Sequence, residues 1–260
     1  MNHAVELSYL GMAAVYLLLL PVLLLSMRYR LAIVRDTLWA VARMSVQLML
    51  VGLYLRYVFQ WNSFVVNLLW VLIMTAVAAW TTLRQAKLPV RVMFPAAFAA
   101  LTGSFLAVLF YFIFLIAGKS ASDAALLIPI GGMLLGNSLR GNVVVLERFF
   151  RQMRDNRAEY ELRLLYGASR NEALLPFMQI ALRAGITPQI ASMATLGIVS
   201  LPGMMTGQLL GGSTPMTAIQ YQIAIMIGIF AIDMISTALL LEVLARYAKK
   251  NELENERGIR

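Results

Sequence analysis

Long apolar runs alternate with short polar connections along the whole chain. A helix needs about 20 apolar residues to cross roughly 30 Å of hydrocarbon, because it rises 1.5 Å per residue. The pattern therefore predicts an all-α integral membrane protein, a bundle of about seven transmembrane helices. The predicted spans are residues 7–27, 38–59, 64–83, 92–117, 124–146, 189–210 and 219–245.

The charges in the connections alternate along the chain. The first, third and fifth connections and the C-terminal tail contain most of the arginine and lysine residues, whereas residues 60–63 and 211–218 carry no charge. Basic connections stay on the cytoplasmic side of a membrane. This alternation predicts that the N-terminus lies outside, that the C-terminus lies inside, and that the chain crosses seven times.

The composition fits a membrane protein better than a soluble one. Hydrophobic residues make up 60% of the 260 residues and charged residues only 13%, whereas a soluble domain usually has about 25% charged residues. The net charge is +9, but the basic residues lie between apolar runs, so we interpret them as topology signals and lipid contacts rather than a nucleic-acid surface. We expect one transmembrane domain, residues 1–260, with a charged tail at 247–260.

Several catalytic and metal-binding classes are excluded by residues that the chain lacks. It has no cysteine, and its one histidine is His3 near the N-terminus. Disulfides, thiolate metal sites and Ser-His-Asp triads are therefore impossible. No phosphate-binding G-x-x-x-x-G-K-[ST] motif is present either, so we do not expect this chain to hydrolyse ATP.

The fifth connection, residues 147–188, is the one long non-membrane segment. Arg148, Arg151 and Arg154 recur every three residues and share a helix face, which predicts that the fifth span continues into the cytoplasm. Residues 158–166 then form a short amphipathic pattern. A short helix held between two membrane helices can be moved by a soluble partner; a plain structured loop is the alternative interpretation.

Turn and capping signals divide this connection into two helices. Gly167 is suited to the left-handed position that ends a helix. Ser169 and Glu172 have the spacing of a capping box, which begins the next helix. We expect that helix to run toward Gly185 and Pro188 to end it.

Two features inside the predicted spans are irregular. The Pro202-Gly203 step predicts a break in the sixth span, because proline lacks an N–H group and glycine adds freedom. Broken membrane helices often line binding sites or gates, although a packing kink is the alternative. Asp233 lies near the middle of the seventh span, where a carboxylate costs roughly 2.5–3.5 kcal/mol. It is either paired with a polar neighbour or binds a cation or proton.

Glycines spaced four residues apart form two small faces, at Gly132 and Gly136 and at Gly207 and Gly211. Such faces let helices approach closely. They indicate either tight packing within one subunit or a dimer interface. The 16 methionines are more typical of packing than of soft-metal ligation, so metal ligands stay unknown.

Three stretches of the chain resemble FetB-type ABC transporter permeases. They are LIPIGGM at 127–133 with GNS at 136–138, LLYGAS at 164–169, and GIVSLPGMMTGQ at 197–208 followed by GGSTP at 211–215 and AIQYQI at 218–223. Similarity is strong over about residues 126–226. The third stretch is highly specific.

The resemblance implies the membrane half of an ABC exporter. Two copies of such a permease pair with two copies of a separate ATP-binding subunit, which binds ATP and Mg²⁺, while the permease binds no cofactor. Family members are linked to iron export and resistance to oxidative stress, and plant relatives to aluminium tolerance. The implied function is export of iron, or of another metal or metal chelate, across the cytoplasmic (inner) membrane by alternating access. The implied chain is a transporter subunit and not an enzyme.

The resemblance and the residue patterns together give three sets of candidate residues. Glu161 and Gly167 keep the E-x5-G spacing of the loop that docks many permeases onto their ATPase, although Leu162-Arg163 replaces the usual two alanines. The predicted coupling residues are Glu161, Leu162, Leu165, Tyr166, Gly167, Ala168 and Ser169. The predicted translocation path or gate is Asn137, Ser200, Pro202, Gly203, Met204, Met205, Gln208 and Asp233. The predicted helix-packing or dimer residues are Gly132, Gly136, Gly207 and Gly211.

Two other functions stay open at this point. One is a stand-alone secondary transporter or channel that uses Asp233 as its coupling carboxylate. The other is a membrane scaffold that transports nothing, against which the Pro202-Gly203 step and the intramembrane polar residues argue.

Overall fold

A computed structural model describes residues 8–61, 63–116, 124–199 and 201–258, and these parts of the chain contain helices and no β-strand. The all-α prediction is therefore confirmed. The helices are α1 (Tyr9–Leu17), α2 (Leu19–Arg28), α3 (Val34–Trp61), α4 (Phe64–Gln85), α5 (Val90–Tyr111), α6 (Ala124–Asp155), α7 (Arg157–Leu165), α8 (Arg170–Thr195), α9 (Gly203–Leu210) and α10 (Pro215–Gly258), and a π-helical segment, Phe112–Ile116, extends α5.

Five segments of the described chain are long and apolar enough to cross a membrane. They are Leu10–Arg28, Val34–Trp61, Phe64–Gln85, Val90–Leu115 and Pro215–Arg246. These segments match the predicted first, second, third, fourth and seventh spans.

The predicted fifth and sixth spans are not among those five. The fifth lies in α6, whose middle carries Asn137, Arg140 and Asn142, so its apolar character is lower. The sixth, residues 189–210, is divided between α8 and α9. The count of seven crossings and the orientation of the termini stay predictions.

The core of the bundle surrounds α6 and α10, which pack against each other and against α4, α5 and α8. In a bilayer such helices are held by close packing more than by transfer out of water. Fully buried side chains along this core include Leu83, Leu101, Phe105, Leu109, Phe112, Leu134, Leu146, Ile225, Ile232 and Leu240.

The first three helices are packed much less. In the most apolar stretch of α3 no residue is buried, and Trp39 and Met49 are among its most exposed side chains. Within the described residues α3 has few contacts with other helices. They include contacts with α2 and α6, the Tyr54–Trp70 ring pair with α4 and the Tyr16–Ser45 hydrogen bond with α1. Lipid must therefore cover most of the surface of these helices.

The predicted start of α8 is confirmed, and its predicted end is wrong. Ser169 and Glu172 form the capping box at its beginning. However, α8 continues through Pro188 to Thr195. A proline removes one hydrogen-bond donor, which a membrane helix tolerates when neighbouring groups support it. Here buried residues such as Ala181 and Ile186 hold α8 against its neighbours.

The predicted break in the sixth span is confirmed. The chain leaves α8 at Leu196, which is extended, and turns at Gly197 with a φ of +83°. Pro202 is extended and precedes the first turn of α9, which begins at Gly203. The sixth span is thus interrupted between Thr195 and Gly203 and not only at the Pro202-Gly203 step.

Candidate functional site

A polar cavity of about 290 Å³ lies where α6, α8 and α10 cross. Polar side chains from all three helices reach it, although the helices are otherwise mainly apolar. Its lining residues are Asn137, Arg140, Gly141, Val144, Gly185, Pro188, Gln189, Ser192 and Asp233.

Two glycines allow the helices to meet at this cavity. A Cβ atom on Gly185 of α8 would lie 2.3 Å from Cγ2 of Val145 and 3.1 Å from the carbonyl oxygen of Gly141, both on α6. A Cβ atom on Gly141 would lie 3.9 Å from the Asp233 carboxyl group. The backbones of α6 and α8 therefore nearly touch, and Asp233 lies beside the crossing.

Asp233 is the most unusual group in the cavity. Its relative exposure is 3%, and its Oδ1 atom has no hydrogen-bond partner among the described residues. Arg140 is the cation whose charge acts on this carboxylate, and it also donates a hydrogen bond of 3.0 Å to Oδ1 of Asn137. A buried carboxylate with an unpartnered oxygen thus borders a polar cavity that a guanidinium group also lines.

More buried polar groups continue along the same helix pair. The Ser236 hydroxyl donates to Oδ1 of Asn142 at 3.3 Å, and the Thr237 hydroxyl donates to the backbone carbonyl of Asp233. Nδ2 of Asn142 is buried without an acceptor among the described residues. The interface between α6 and α10 is therefore polar over a little more than one turn of α10.

A second cavity, of about 480 Å³ and mainly apolar, lies at the break between α8 and α9. Pro202 and Met205 line it together with Met193 and Met226, and Gln222 is one of its few polar residues. Oε1 of Gln222 is buried without a donor in the described part of the chain.

The predicted path residues thus separate into distinct places. Asn137 and Asp233 meet in the polar cavity, and Pro202 and Met205 line the apolar one. Met204 packs against the core, Gly203 begins α9, and Oε1 of Gln208 is buried without a donor in the described residues. Ser200 lies outside the described residues.

The predicted packing glycines differ in their surroundings. A Cβ atom added to Gly132 would lie 3.6 Å from Cε of Met74 in α4. A Cβ atom added to Gly136 or Gly207 would have no atom of another described element within 4 Å. Gly211 is the C-terminal cap of α9. The small residues at the tightest crossing are Gly141 and Gly185, which the four-residue spacing did not indicate.

Other cavity residues were also missed or interpreted differently from the sequence. The sequence patterns did not indicate Arg140, Gln189 or Ser192 as site residues. The available signal was helical spacing, because Asn137, Arg140 and Gly141 share one face of α6.

The predicted coupling residues form one exposed segment. Leu165 and Tyr166 are each 83% exposed and Leu162 is 51% exposed. Gly167 has a φ of +89°, and its N–H donates to the Leu164 carbonyl while the Ala168 N–H donates to the Arg163 carbonyl. This pair of bonds is the Schellman ending of a helix. We refer to residues 157–169 as the coupling segment.

The coupling segment is fixed at both ends. Glu161 and Arg157 form an ion pair at 2.7 Å along α7. At the other end, hydrogen bonds from the Ser169 side chain and from its backbone N–H hold the pKa of the Glu172 carboxyl below its usual value. The backbone bond is 2.7 Å long. The bonds between Ser169 and Glu172 therefore define where the turn ends and α8 begins.

Arg170 joins the coupling segment to the opposite helix. Its guanidinium group donates a 2.8 Å hydrogen bond to the backbone carbonyl of Ala245 in α10. The same α10 carries Asp233 three turns or more toward the N-terminus. The residue that follows the coupling segment is thus hydrogen-bonded to the helix that contains the buried carboxylate.

The described residues contain no group of three or more His, Cys, Asp or Glu side chains placed to hold a metal ion. The cavities therefore offer amide, hydroxyl, thioether and single carboxylate groups instead of a multidentate cage.

Comparison with known proteins assigns the chain to a family. The model of the family described as "Uncharacterised protein family (UPF0014)" matches residues 9–248. The chain is 30% identical over 250 residues to "Probable iron export permease protein FetB" of Escherichia coli (strain K12), which covers 95% of this chain and 92% of the relative.

Two further relatives show how widely the similarity extends. "UPF0014 membrane protein YjkA" of Bacillus subtilis (strain 168) is 32% identical and covers 84% of this chain and 86% of its own length. "Protein ALUMINUM SENSITIVE 3" of Arabidopsis thaliana is 29% identical and covers 82% of this chain and 77% of its own length. No solved structure matches significantly. The chain therefore belongs to the UPF0014 family and is a multi-pass membrane protein.

Proposed function

We propose that this chain is the membrane-spanning permease subunit of an ABC-type exporter, and that it exports iron or another metal or metal chelate. One relative is named "Probable iron export permease protein FetB", and a plant relative is named for aluminium sensitivity. Both names concern metal cations, so a metal-containing cargo accounts for both.

The observation that carries the proposal is the exposure of apolar and aromatic side chains in the coupling segment. Leu165 and Tyr166 are apolar or aromatic, highly exposed, and lie at the turn between the short helix α7 and the long helix α8. Exposed aromatic and aliphatic side chains outside the bilayer mark protein interaction sites. A separate ATP-binding subunit is the partner that supplies the energy, since this chain has no phosphate-binding motif of its own.

The mechanism follows from the connections of this segment. Closure of two ATP-binding subunits around ATP moves the coupling segment. The Arg170–Ala245 hydrogen bond carries the motion to α10, and the capping box carries it to α8. These two helices, with α6, surround the polar cavity, so its accessible side changes from inside to outside. Two permease copies complete the assembly, with Gly136 and Gly207 available as a contact between them.

Reconstitution tests the proposal. The permease and a candidate ABC ATPase from the same organism are incorporated into inverted vesicles, and ATP-dependent uptake of ferric citrate is measured. We expect Leu165→Ala with Tyr166→Ala to reduce both uptake and recovery of the ATPase with the permease. Leu175→Ala, an exposed leucine of α8 outside the coupling segment, serves as the matched control and should change neither. Normal uptake in the double variant would contradict the proposal.

The second candidate is a stand-alone transporter or channel that uses Asp233. The unpartnered Oδ1 atom is the observation that favours it. Transport that persists without any ATPase and is lost in Asp233→Asn would establish this candidate in place of the exporter.

A further inference from the structure

We infer that a cleft beside the coupling segment binds the phosphate group of an anionic phospholipid. The cleft holds about 200 Å³ and lies where the end of α6, the helix α7, the start of α8 and the end of α10 meet. Three of its features point to this ligand: its position, the charges on its rim and the aromatic rings on its floor. Binding of the lipid does not depend on the proposed transport function, whereas its effect on coupling rests on that function.

The cleft lies where apolar segments of the bundle end. Ala245 lines it and is the last residue but one of the apolar segment Pro215–Arg246. Phe149 and Leu174 also line it, and they share one core cluster with Leu83 near the end of α4. The headgroups of a bilayer occupy the layer just beyond the hydrocarbon that such segments cross. A phospholipid headgroup is therefore within reach of the cleft.

Two guanidinium groups on the rim have no carboxylate to balance them within the described chain. Arg154 forms no ion pair there, and Arg170 donates its hydrogen bond to the uncharged carbonyl group of Ala245. Glu161 is the one carboxylate among the described residues of the cleft, and it is paired with Arg157 at 2.7 Å. Three arginines against one glutamate leave an excess of two positive charges, which an anion neutralises.

The floor of the cleft is aromatic, which favours a lipid over a soluble phosphate. Phe149 is buried, Phe150 and Tyr160 are half-buried, and the two phenylalanine rings are in edge-to-face contact with centroids 5.2 Å apart. Arg154 and Arg157 are exposed. A phospholipid carries its phosphate beside glycerol and acyl groups, so it contacts guanidinium groups and aromatic rings together. Guanidinium groups match phosphate oxygens with paired hydrogen bonds, and basic pockets between membrane helices bind anionic headgroups.

The two unbalanced arginines flank the coupling segment. Arg154 lies at the end of α6, shortly before the segment begins, and Arg170 follows directly after it. One phosphate bound by both groups therefore joins the two helices between which the segment lies. Leu165 and Tyr166 are exposed and do not line the cleft. The bound lipid thus holds the segment in place without covering its docking surface.

Native mass spectrometry of the delipidated full-length permease tests the binding site. Dioleoylphosphatidylglycerol and dioleoylphosphatidylcholine are titrated separately, and the fraction of protein that carries one lipid is measured. We expect phosphatidylglycerol to bind saturably and more tightly than phosphatidylcholine, whose choline group compensates the phosphate charge. Arg154→Gln should weaken phosphatidylglycerol binding by about five-fold, the change expected for one basic residue at an anionic surface.

A matched variant separates a specific site from general attraction to basic residues. Arg151→Gln removes the same charge from α6 about one turn earlier, at a residue that does not line the cleft and is paired with Glu147 at 2.6 Å. It should leave phosphatidylglycerol binding unchanged. Equal weakening by Arg151→Gln and Arg154→Gln would overturn the inference, as would equal affinity of the normal protein for the two lipids.

Competition with inorganic phosphate, added as its ammonium salt, identifies the source of the phosphate group. We expect a large molar excess of this anion to leave phosphatidylglycerol bound, because only the lipid has groups that contact the aromatic floor. Complete displacement would assign the cleft to a soluble phosphate and would overturn the assignment to a lipid.

Vesicles of defined composition test the effect on coupling. ATP-dependent uptake of ferric citrate by the permease and its candidate ATPase is compared in phosphatidylcholine vesicles with and without phosphatidylglycerol. We expect phosphatidylglycerol to raise uptake by the normal protein, and Arg154→Gln to lose this gain while equalling the normal protein in phosphatidylcholine alone. An equal loss by Arg154→Gln in both kinds of vesicle would show that the cleft receives the ATPase and would overturn the inference. If phosphatidylglycerol binds as expected but ATP drives no uptake in any vesicle, the proposed function fails while the binding site stands.

Discussion

The Cβ atom that an alanine would add at Gly185 lies 2.3 Å from Cγ2 of Val145. Real carbon atoms do not approach so closely, so α6 and α8 can cross at this point only because position 185 has no side chain. The crossing forms one wall of the polar cavity. The smallest residue in α8 thus determines how near α8 comes to the helix that carries Asn137 and Arg140.

Gly185→Ala should destabilise the protein by about 1–3 kcal/mol, the usual cost of excess volume in a packed core. The measurement is the thermal unfolding midpoint of the purified protein in detergent. Val145→Ala removes the atom that the new methyl group meets, so the double variant should recover part of the loss. Recovery will be incomplete, because the Gly141 carbonyl oxygen is also only 3.1 Å away.

Gly103→Ala is the matched control for this experiment. A Cβ atom at Gly103 meets nothing within 4 Å, and alanine favours a helix over glycine by about 0.5–1 kcal/mol. Its midpoint should stay equal or rise slightly. Equal effects of Gly103→Ala and Gly185→Ala would argue against a specific close crossing.

Gly167 should tolerate asparagine better than alanine, and alanine better than proline. Its φ of +89° lies in the region that costs most L-residues about 1–2 kcal/mol, and its N–H is donated to Leu164, which proline cannot do. We expect Gly167→Pro to abolish ATP-driven transport with expression intact, and Gly167→Asn to retain most of it. Full transport by the proline variant would show that the turn has no mechanical role.

The first turn of α8 should loosen in acid. Because hydrogen bonds from Ser169 lower the pKa of Glu172 in the folded protein, this interaction is complete above the unfolded-state pKa of about 4.3. It is lost as the pH falls through the lower folded-state pKa. Hydrogen exchange at residues 171–173 should accelerate over that range relative to its intrinsic rate.

Glu172→Gln is the control for this pH dependence. A glutamine can still accept a hydrogen bond from the Ser169 backbone, but it does not titrate, so the acid-dependent acceleration should disappear. The same acceleration in this variant would place the titrating group elsewhere.

Arg170→Ala should separate ATP hydrolysis from transport. The substitution removes the hydrogen bond to the Ala245 carbonyl and leaves the exposed surface of the coupling segment unchanged. Hydrolysis by the reconstituted assembly should continue while the amount transported per ATP falls. Arg151→Ala is the control, since Arg151 lies outside the coupling segment and pairs within α6 with Glu147. A parallel fall of hydrolysis and transport in Arg170→Ala would mean that Arg170 supports docking and not transmission.

Features encoded over short distances could be predicted from the sequence. The five apolar segments, the capping box at Ser169, the left-handed Gly167 and the break at Pro202 all depend on residues within a few positions of one another. Each has a local cause, either hydropathy, a side-chain cap or a backbone preference, so one sequence is sufficient to reveal it.

Features that depend on contacts between helices could not be predicted. The end of α8 was misplaced because Pro188 is a strong local signal, whereas packing against α6 and α10 keeps the helix continuous. The four-residue glycine spacing indicates Gly136 and Gly207 as packing positions. It does not indicate the close crossing at Gly185. Spacing shows which residues share a face, but it does not show which helix that face meets.

The sparse packing of the first three helices makes the bilayer a structural partner for that part of the chain. An α3 of 28 residues is about 42 Å long, against roughly 30 Å of hydrocarbon. It must tilt or project beyond the acyl chains, and with few protein neighbours it has little else to set its angle. Membrane thickness will therefore set the tilt of the N-terminal helices, whereas contacts between helices hold the arrangement of the core around α6 and α10. Lipid composition and protein packing thus control different parts of one molecule.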